Sequence, residues 1–233
     1  MVFLRSLLFN LIQWTSVLPA SLLSILAWPL PPKARLSFIA LWARFVMGLA
    51  RWVLGIRYRV EGLEHLLPGP CVILSKHQSA WETIAFQAIF PPVVFVLKKE
   101  LLRLPFFGWG LAMTFPIAIN RDAGREALRV IEAEGRDRLA KGLWVVIFPE
   151  GTRTPHGQRK KYQAGGAMLA VKAGVPILPV AHNAGRLWGK SAFTKYPGEI
   201  TVAIGPPIET AGRKAGEVNA AAEAWIEARM EGL

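Results

Sequence analysis

His77 and Glu82 stand in the run Lys76-His77-Gln78-Ser79-Ala80-Trp81-Glu82-Thr83. A carboxylate that hydrogen-bonds one imidazole nitrogen leaves the other free to act as a base toward a hydroxyl. The spacing limits how the two can meet. Within one helix, five residues turn about 500°, which leaves the side chains about 140° apart. They face each other only if His77 precedes a helix and Glu82 comes from its first turns. A second group is Phe148-Pro149-Glu150-Gly151-Thr152-Arg153. It combines a carboxylate, a glycine that allows close backbone approach and a guanidinium suited to bidentate phosphate binding. Arg159, Lys160 and Lys161 follow and read as a solvated run.

Other reactive types carry less. Ser79 is two residues from His77 but in no nucleophile elbow, and its place suits a helix cap. No covalent intermediate on the chain is therefore expected. Cys71 is the one cysteine and lies in an apolar run, so it reads as a buried strand residue. His65 is expected at the surface, His182 in a structural role and His156 in a loop. No Cys/His cluster has metal-ligand spacing, the acids are not grouped for a hard cation, and no nucleotide-binding glycine pattern occurs. No metal and no cofactor are expected.

These residues need a frame. Short β-branched runs predict strands at 56–60, 71–75, 93–97, 117–119, 143–148, 175–180 and 199–204. Helical stretches are expected near 80–90, 106–113, 123–140, 164–173 and 215–231, the last of these for packing. The alternation predicts an α/β fold: a mostly parallel central sheet flanked by helices, with chemistry at strand ends. The expected division is a motif at 1–55 and an α/β domain at 56–233.

The N-terminal quarter differs in kind. Net charge is +12, yet 52% of residues are hydrophobic. That combination excludes disorder and disfavours a nucleic-acid binder. Residues 1–60 hold seven basic residues and no acid, together with Trp14, Trp28, Trp42 and Trp52. Ser6 to Pro32 is uncharged for 27 residues. In the next segment Lys33, Arg44 and Arg51 fall on nearly one helical line, with Phe38, Leu41, Phe45 and Trp52 elsewhere. This predicts two membrane-associated helices that hold an anionic bilayer surface, either spanning it or lying in it.

Four blocks, in order and spacing, resemble the glycerolipid acyltransferases, specifically bacterial 1-acyl-sn-glycerol-3-phosphate acyltransferases. They are His77 with Glu82, Phe115–Arg121, Phe148–Arg153 and Val175–Val180. The run Lys98-Lys99-Glu100-Leu101 is also similar. The resemblance covers about residues 56–210. The family usually has Asp where Glu82 stands and Asn where Lys76 stands.

The resemblance implies transfer of an acyl chain to the sn-2 hydroxyl of 1-acyl-glycerol 3-phosphate (lysophosphatidic acid), forming phosphatidic acid. The donor would be an acyl thioester of acyl carrier protein or coenzyme A. His77 and Glu82 would be catalytic. Arg153, Arg121, Lys98 and Lys99 would bind phosphate, and Glu150, Gly151 and Thr152 would shape the pocket. Backbone N–H groups at the helix start would stabilise the oxyanion. The implied place is the bacterial inner membrane, with the catalytic domain on the cytoplasmic face. A lyso-ornithine-lipid acyltransferase shares these blocks, and a non-enzymatic lipid-binding module would explain only the N-terminal helices and the charge.

Overall fold

The computed structural model describes residues 1–233. Helices α1 (Val2–Leu26) and α2 (Pro32–Leu49) form a hairpin. Pro32 suits the first turn of α2, where its missing N–H would have no helical partner. The end of α2 widens into a π-helical turn, Ala50–Leu54. Gly55, at φ +73°, then releases the chain into the body.

The body runs β1 (Ile56–Glu61), β2 (Val72–Ser75), α3 (Trp81–Ile89), β3 (Val93–Lys98), α4 (Phe107–Ala112), β4 (Ile117–Ile119) and α5 (Arg125–Ala140). It continues with β5 (Trp144–Ile147), α6 (Gly165–Ala173), β6 (Ile177–His182), α7 (Ala184–Leu187), β7 (Gly198–Ile204) and α8 (Ala215–Glu231). The seven strands lie in the order β1-β7-β6-β2-β5-β3-β4. All neighbours are parallel except β6 and β7.

The central strands are unbroken apolar runs because both faces of the sheet are covered. Alternate residues feed opposite cores. Ile73, Phe95, Val146 and Leu178 pack with Phe9, Val46, Leu54 and Trp81 on one face. Val72, Leu74, Val94 and Val145 pack with Ile131, Leu169, Val218 and Ile226 on the other. α1 to α3 thus cover one side, and α5, α6 and α8 the other. Gly166 lets α6 close onto β2: a Cβ there would stand 2.5 Å from Leu74 Cδ2.

Six of the seven strands fall within a residue of expectation. β6 is shifted by two, because Pro176 lacks the N–H a ladder needs. It then runs on to His182, where it pairs with Val202 of β7. The short α7 was not foreseen.

α1 and the α2 segment are each long and apolar enough to cross a membrane, by length and composition. Phe3, Leu4, Leu7, Leu11 and Trp14 are exposed along α1, as are Leu41, Phe45 and Trp52 further on. The opposite sides are tied to the body. Lys195 is buried, donates to Asn10 Oδ1 (2.8 Å) and lies over the rings of Phe9 and Trp188. Arg35 departs from the expected basic surface. Its guanidinium turns inward, donates to the carbonyls of Trp28 and Leu30, and stacks on Phe115. The cost of an unpaired buried cation explains both arrangements.

Candidate active site

β2 lies between β5 and β6, and the C-terminal ends of these three strands carry the candidate chemistry. His77 leaves β2 ahead of α3, and Glu82 is the second residue of that helix. Their hydrogen bond, His77 Nδ1 to Glu82 Oε1, is 2.8 Å. The same oxygen accepts the N–H groups of Gln78 (2.8 Å) and Ser79 (2.7 Å), so the turn winds around a fully buried carboxylate. Oε2 is buried without a partner. The imidazole is stacked on Phe148, with centroids 4.0 Å apart. Its backbone is held at both ends: the N–H donates to Glu150 Oε2 (2.9 Å) and the carbonyl accepts from Thr154 N–H (2.7 Å). Nε2 is left without a protein partner.

Burial alone would push the Glu82 carboxyl up. His182 and the hydrogen bonds from His77 and Ser79 outweigh it and hold the group below its ordinary value. His182 is itself held down by burial, so it is neutral at pH 7. At that pH the carboxylate rests on its hydrogen bonds. His182 Nε2–H donates to the Lys76 carbonyl (2.9 Å) while Nδ1 accepts Ala184 N–H (3.3 Å), which fixes the neutral tautomer.

A stability prediction follows. Below the ordinary value of 6.5 the unfolded chain takes up a proton at His182 that the folded chain refuses. Stability is therefore lost as pH falls through 6.5 toward the lowered folded value. The slope for this one proton is at most about 1.4 kcal/mol per pH unit. Thermal unfolding in detergent is expected to show a steeper acid-side loss for wild type than for His182→Gln. Equal slopes would contradict the assignment.

The phosphate candidates fall into two places. Arg121 follows β4 and donates to the Gly151 carbonyl. Gly151 adopts φ +69°, the turn that presents this carbonyl. Burial holds the Arg121 guanidinium below its ordinary pKa, the positive charge of Arg153 lowers it further, and Glu100 partly offsets both. Arg153 is half-buried and makes no hydrogen bond or ion pair with protein. Lys98 and Lys99 are exposed at the end of β3, with Lys98 in register with Ile119, two residues before Arg121. Lys98 Nζ lies 3.8 Å from Glu100.

A cavity of about 590 Å³ opens here. Arg121, Phe148, Pro149 and Gly151 line it together with the apolar Val96 and Ile131. Thr152, which follows Gly151 in the chain, is half-buried. A second apolar groove of about 440 Å³ runs among α1, α2 and α4, past Trp42, Phe45 and Phe107.

Some expectations need correction. Glu150 does not face the pocket. It is fully buried, with Oε1 2.8 Å from Lys76 Nζ and Oε2 on the His77 amide. Nor are the amides of Gln78 and Ser79 free for an oxyanion, since Glu82 takes both. The Trp81 amide donates to Ser79 Oγ (3.1 Å), but Ser79 stands one residue before the N-cap, Ala80, so it closes a turn ahead of the helix where a cap was expected. His65 is half-buried on the Ile204 carbonyl (2.9 Å) instead of exposed. Cys71 is buried, which pushes its thiol well up. Lys76 was noted only as a departure from the family. It is buried, and its signal was a cation directly continuing a doubly covered strand.

Comparison with known proteins gives the family. The family model described as Acyltransferase matches residues 57–183. A 1-acyl-sn-glycerol-3-phosphate acyltransferase of Pseudomonas aeruginosa is 49% identical over 232 residues, covering 97% of this chain and 90% of that protein. The 1-acyl-sn-glycerol-3-phosphate acyltransferase alpha of Mus musculus is 30% identical over 77% of this chain, which spans 65% of the mouse protein. In fold, the chain is similar to the crystal structure of the 1-acyl-sn-glycerophosphate (LPA) acyltransferase from Thermotoga maritima. That match has a TM-score of 0.81 at 24% identity and covers 98% of this chain and 94% of that one. With the family model matching residues 57–183 and nearly half of its residues shared with the Pseudomonas protein, the chain belongs to the acyltransferase family, among the 1-acyl-sn-glycerol-3-phosphate acyltransferases.

Proposed function

We propose that the protein moves an acyl chain from a thioester to the sn-2 hydroxyl of 1-acyl-glycerol 3-phosphate, forming phosphatidic acid at the bacterial inner membrane. The observation that carries this reading is the His77 Nδ1–Glu82 bond, which leaves Nε2 without a protein partner while the ring stacks on Phe148, a residue that lines the cavity. The acceptor hydroxyl donates its proton to Nε2 as its oxygen attacks the thioester carbonyl. The C–S bond then breaks, and the leaving thiolate takes the proton back from Nε2. Glu82 holds the tautomer and balances the imidazolium that forms between the two steps. The reaction needs no cofactor beyond the donor's carrier, which is acyl carrier protein or coenzyme A.

Arg153 and Arg121, with Lys98 and Lys99 at the rim, hold the acceptor phosphate. The apolar cavity wall accommodates an acyl chain. The first 55 residues place this site at an anionic bilayer surface, on the cytoplasmic face, where the donor is made.

Removing one charge-assisted contact to a phosphate costs about 1.5–3 kcal/mol. Arg153→Ala is therefore expected to raise KM for lysophosphatidate by about ten- to a hundredfold, with a smaller change in kcat. An unchanged KM would remove Arg153 from the phosphate site. The assignment as a whole is tested by acyl transfer with the purified full chain. Lysophosphatidate and lyso-ornithine lipid are offered in parallel, each with acyl carrier protein and coenzyme A donors. Phosphatidate is the expected product. Transfer to lyso-ornithine lipid alone, or thioester loss that needs no acceptor, would overturn the assignment.

A further inference from the structure

The residue before the candidate base is a lysine, and it is one of the most buried side chains in the protein. Lys76 is 1% exposed. Its ammonium lies 2.8 Å from Glu150 Oε1 and 2.8 Å from Glu227 Oε1, and donates to the Gln158 carbonyl at 3.2 Å. Glu227 belongs to α8, 151 residues away in the chain. Tyr162 OH also donates to Glu227 Oε1 (2.9 Å), and Arg159 Nε lies 3.4 Å from Oε2. The buried Lys76 faces two carboxylates, and Arg159 at the surface adds a second cation to Glu227 while also pairing with Glu231, so every buried charge meets an opposite one.

One end of this group touches the catalytic turn. Glu150 uses its other oxygen, Oε2, to accept the His77 amide at 2.9 Å. Burial pushes the Glu150 carboxyl up, and Lys76 and the His77 amide oppose that shift. Without Lys76, Glu150 would be a buried anion lacking a cation. It would take up a proton or turn toward water, and the His77 amide would lose a charged acceptor. The His77 backbone sets where Nε2 points, and a displacement of about 1 Å at a reacting group can cost about a hundredfold in rate.

We propose that Lys76 is a positioning residue for His77, acting through Glu150, and that the C-terminal helix sets Lys76 through Glu227. The chain of contacts is Glu227–Lys76–Glu150–His77 N–H. α8 is thus part of the catalytic assembly as well as a packing element. This inference rests on the reading of His77 as the base, and its test separates the two.

The experiment uses the full chain in detergent with Glu227→Gln and Lys76→Met. Glu227 sits at the rim of the cluster, so its variant is the one expected to fold without difficulty. The protein has four histidines, so selective ¹⁵N-histidine labelling gives four backbone amide signals. Glu227→Gln is expected to lower kcat per folded molecule by about tenfold, with KM for lysophosphatidate unchanged. It should also shift the His77 amide signal while leaving that of His65 in place. Lys76→Met should do the same with a larger loss, and Glu227→Gln should add nothing in the Lys76→Met background.

An unchanged kcat in Glu227→Gln overturns the proposal, whatever Lys76→Met does. So does a loss of kcat with the His77 amide signal unmoved, because a purely structural role would act that way. If His77→Ala retained acyl transfer, the base assignment would fail instead. The amide shift needs no activity and would still decide whether the coupling exists.

Discussion

His77→Ala is expected to lower kcat/KM by about 10³–10⁴-fold while the protein stays folded and membrane-associated. The argument is local. His77 is the one residue whose ring is bonded to a buried carboxylate on one nitrogen and free of protein on the other. No alternative base stands in the same turn. Ser79 is bonded to the Trp81 amide, and His182 has both nitrogens engaged. The stability effect should be modest, because the ring's main contacts are the Phe148 face and one hydrogen bond. Acyl transfer from a labelled thioester, normalised to folded protein, measures the loss. A variant retaining more than a tenth of wild-type activity would show that the proton leaves the acceptor by another route.

The second large effect belongs to Glu82→Gln, expected at about 10²–10³-fold in kcat. The geometry decides how the amide must sit. Three donors converge on Oε1, so glutamine has to place its oxygen there. Its NH₂ then occupies the position of Oε2, which has no acceptor nearby, at a cost of about 1–3 kcal/mol. The tautomer of His77 is preserved, and what is lost is the negative charge that balances the imidazolium. Stability should respond to pH as well. The Glu82 carboxyl is held below its ordinary value of 4.5, so its contribution is present above that value and lost as pH falls through the lowered one. Glu82→Gln should lack that acid-side loss. Glu82→Asp, which restores the residue usual in the family, should not restore function. The side chain is one methylene shorter, so it meets Nδ1 and both amides only if the first turn of α3 moves closer to His77. Wild-type activity in either variant would contradict this account of the turn.

Much of this was legible in local sequence. The run 72–75 reads as a doubly covered strand, and five-residue spacing already requires His77 before a helix and Glu82 at its start. Both hold because they depend on neighbours a few residues apart. The α5, α6 and α8 boundaries were equally plain from helical periodicity. The parts that were not legible are contacts between distant segments. Glu227 looked like one more acid on a packing helix, yet it meets Lys76 just beyond the end of the central strand β2. Asn10 looked like an interruption in an apolar run, and it holds the buried Lys195. Arg35 is one of the seven basic residues of the acid-free quarter, and it turns inward to close the turn between α1 and α2. In each case a buried charge finds its partner through tertiary structure, and no period in the chain records that.

The departure at position 76 follows from the same point. Asparagine needs only hydrogen bonds, whereas a buried lysine needs compensating carboxylates. Glu150 and Glu227 supply them, each with an oxygen 2.8 Å from the Lys76 ammonium.

The most direct test of the central claim is a single-turnover rapid-quench measurement with an acyl-labelled thioester. With lysophosphatidate present, wild type should convert label straight into phosphatidate, and His77→Ala should be slower by about three orders of magnitude or more. With the acceptor omitted, no label should appear on the protein. Label bound covalently to the chain, or phosphatidate formed by His77→Ala at the wild-type rate, would contradict direct transfer by the His77–Glu82 pair.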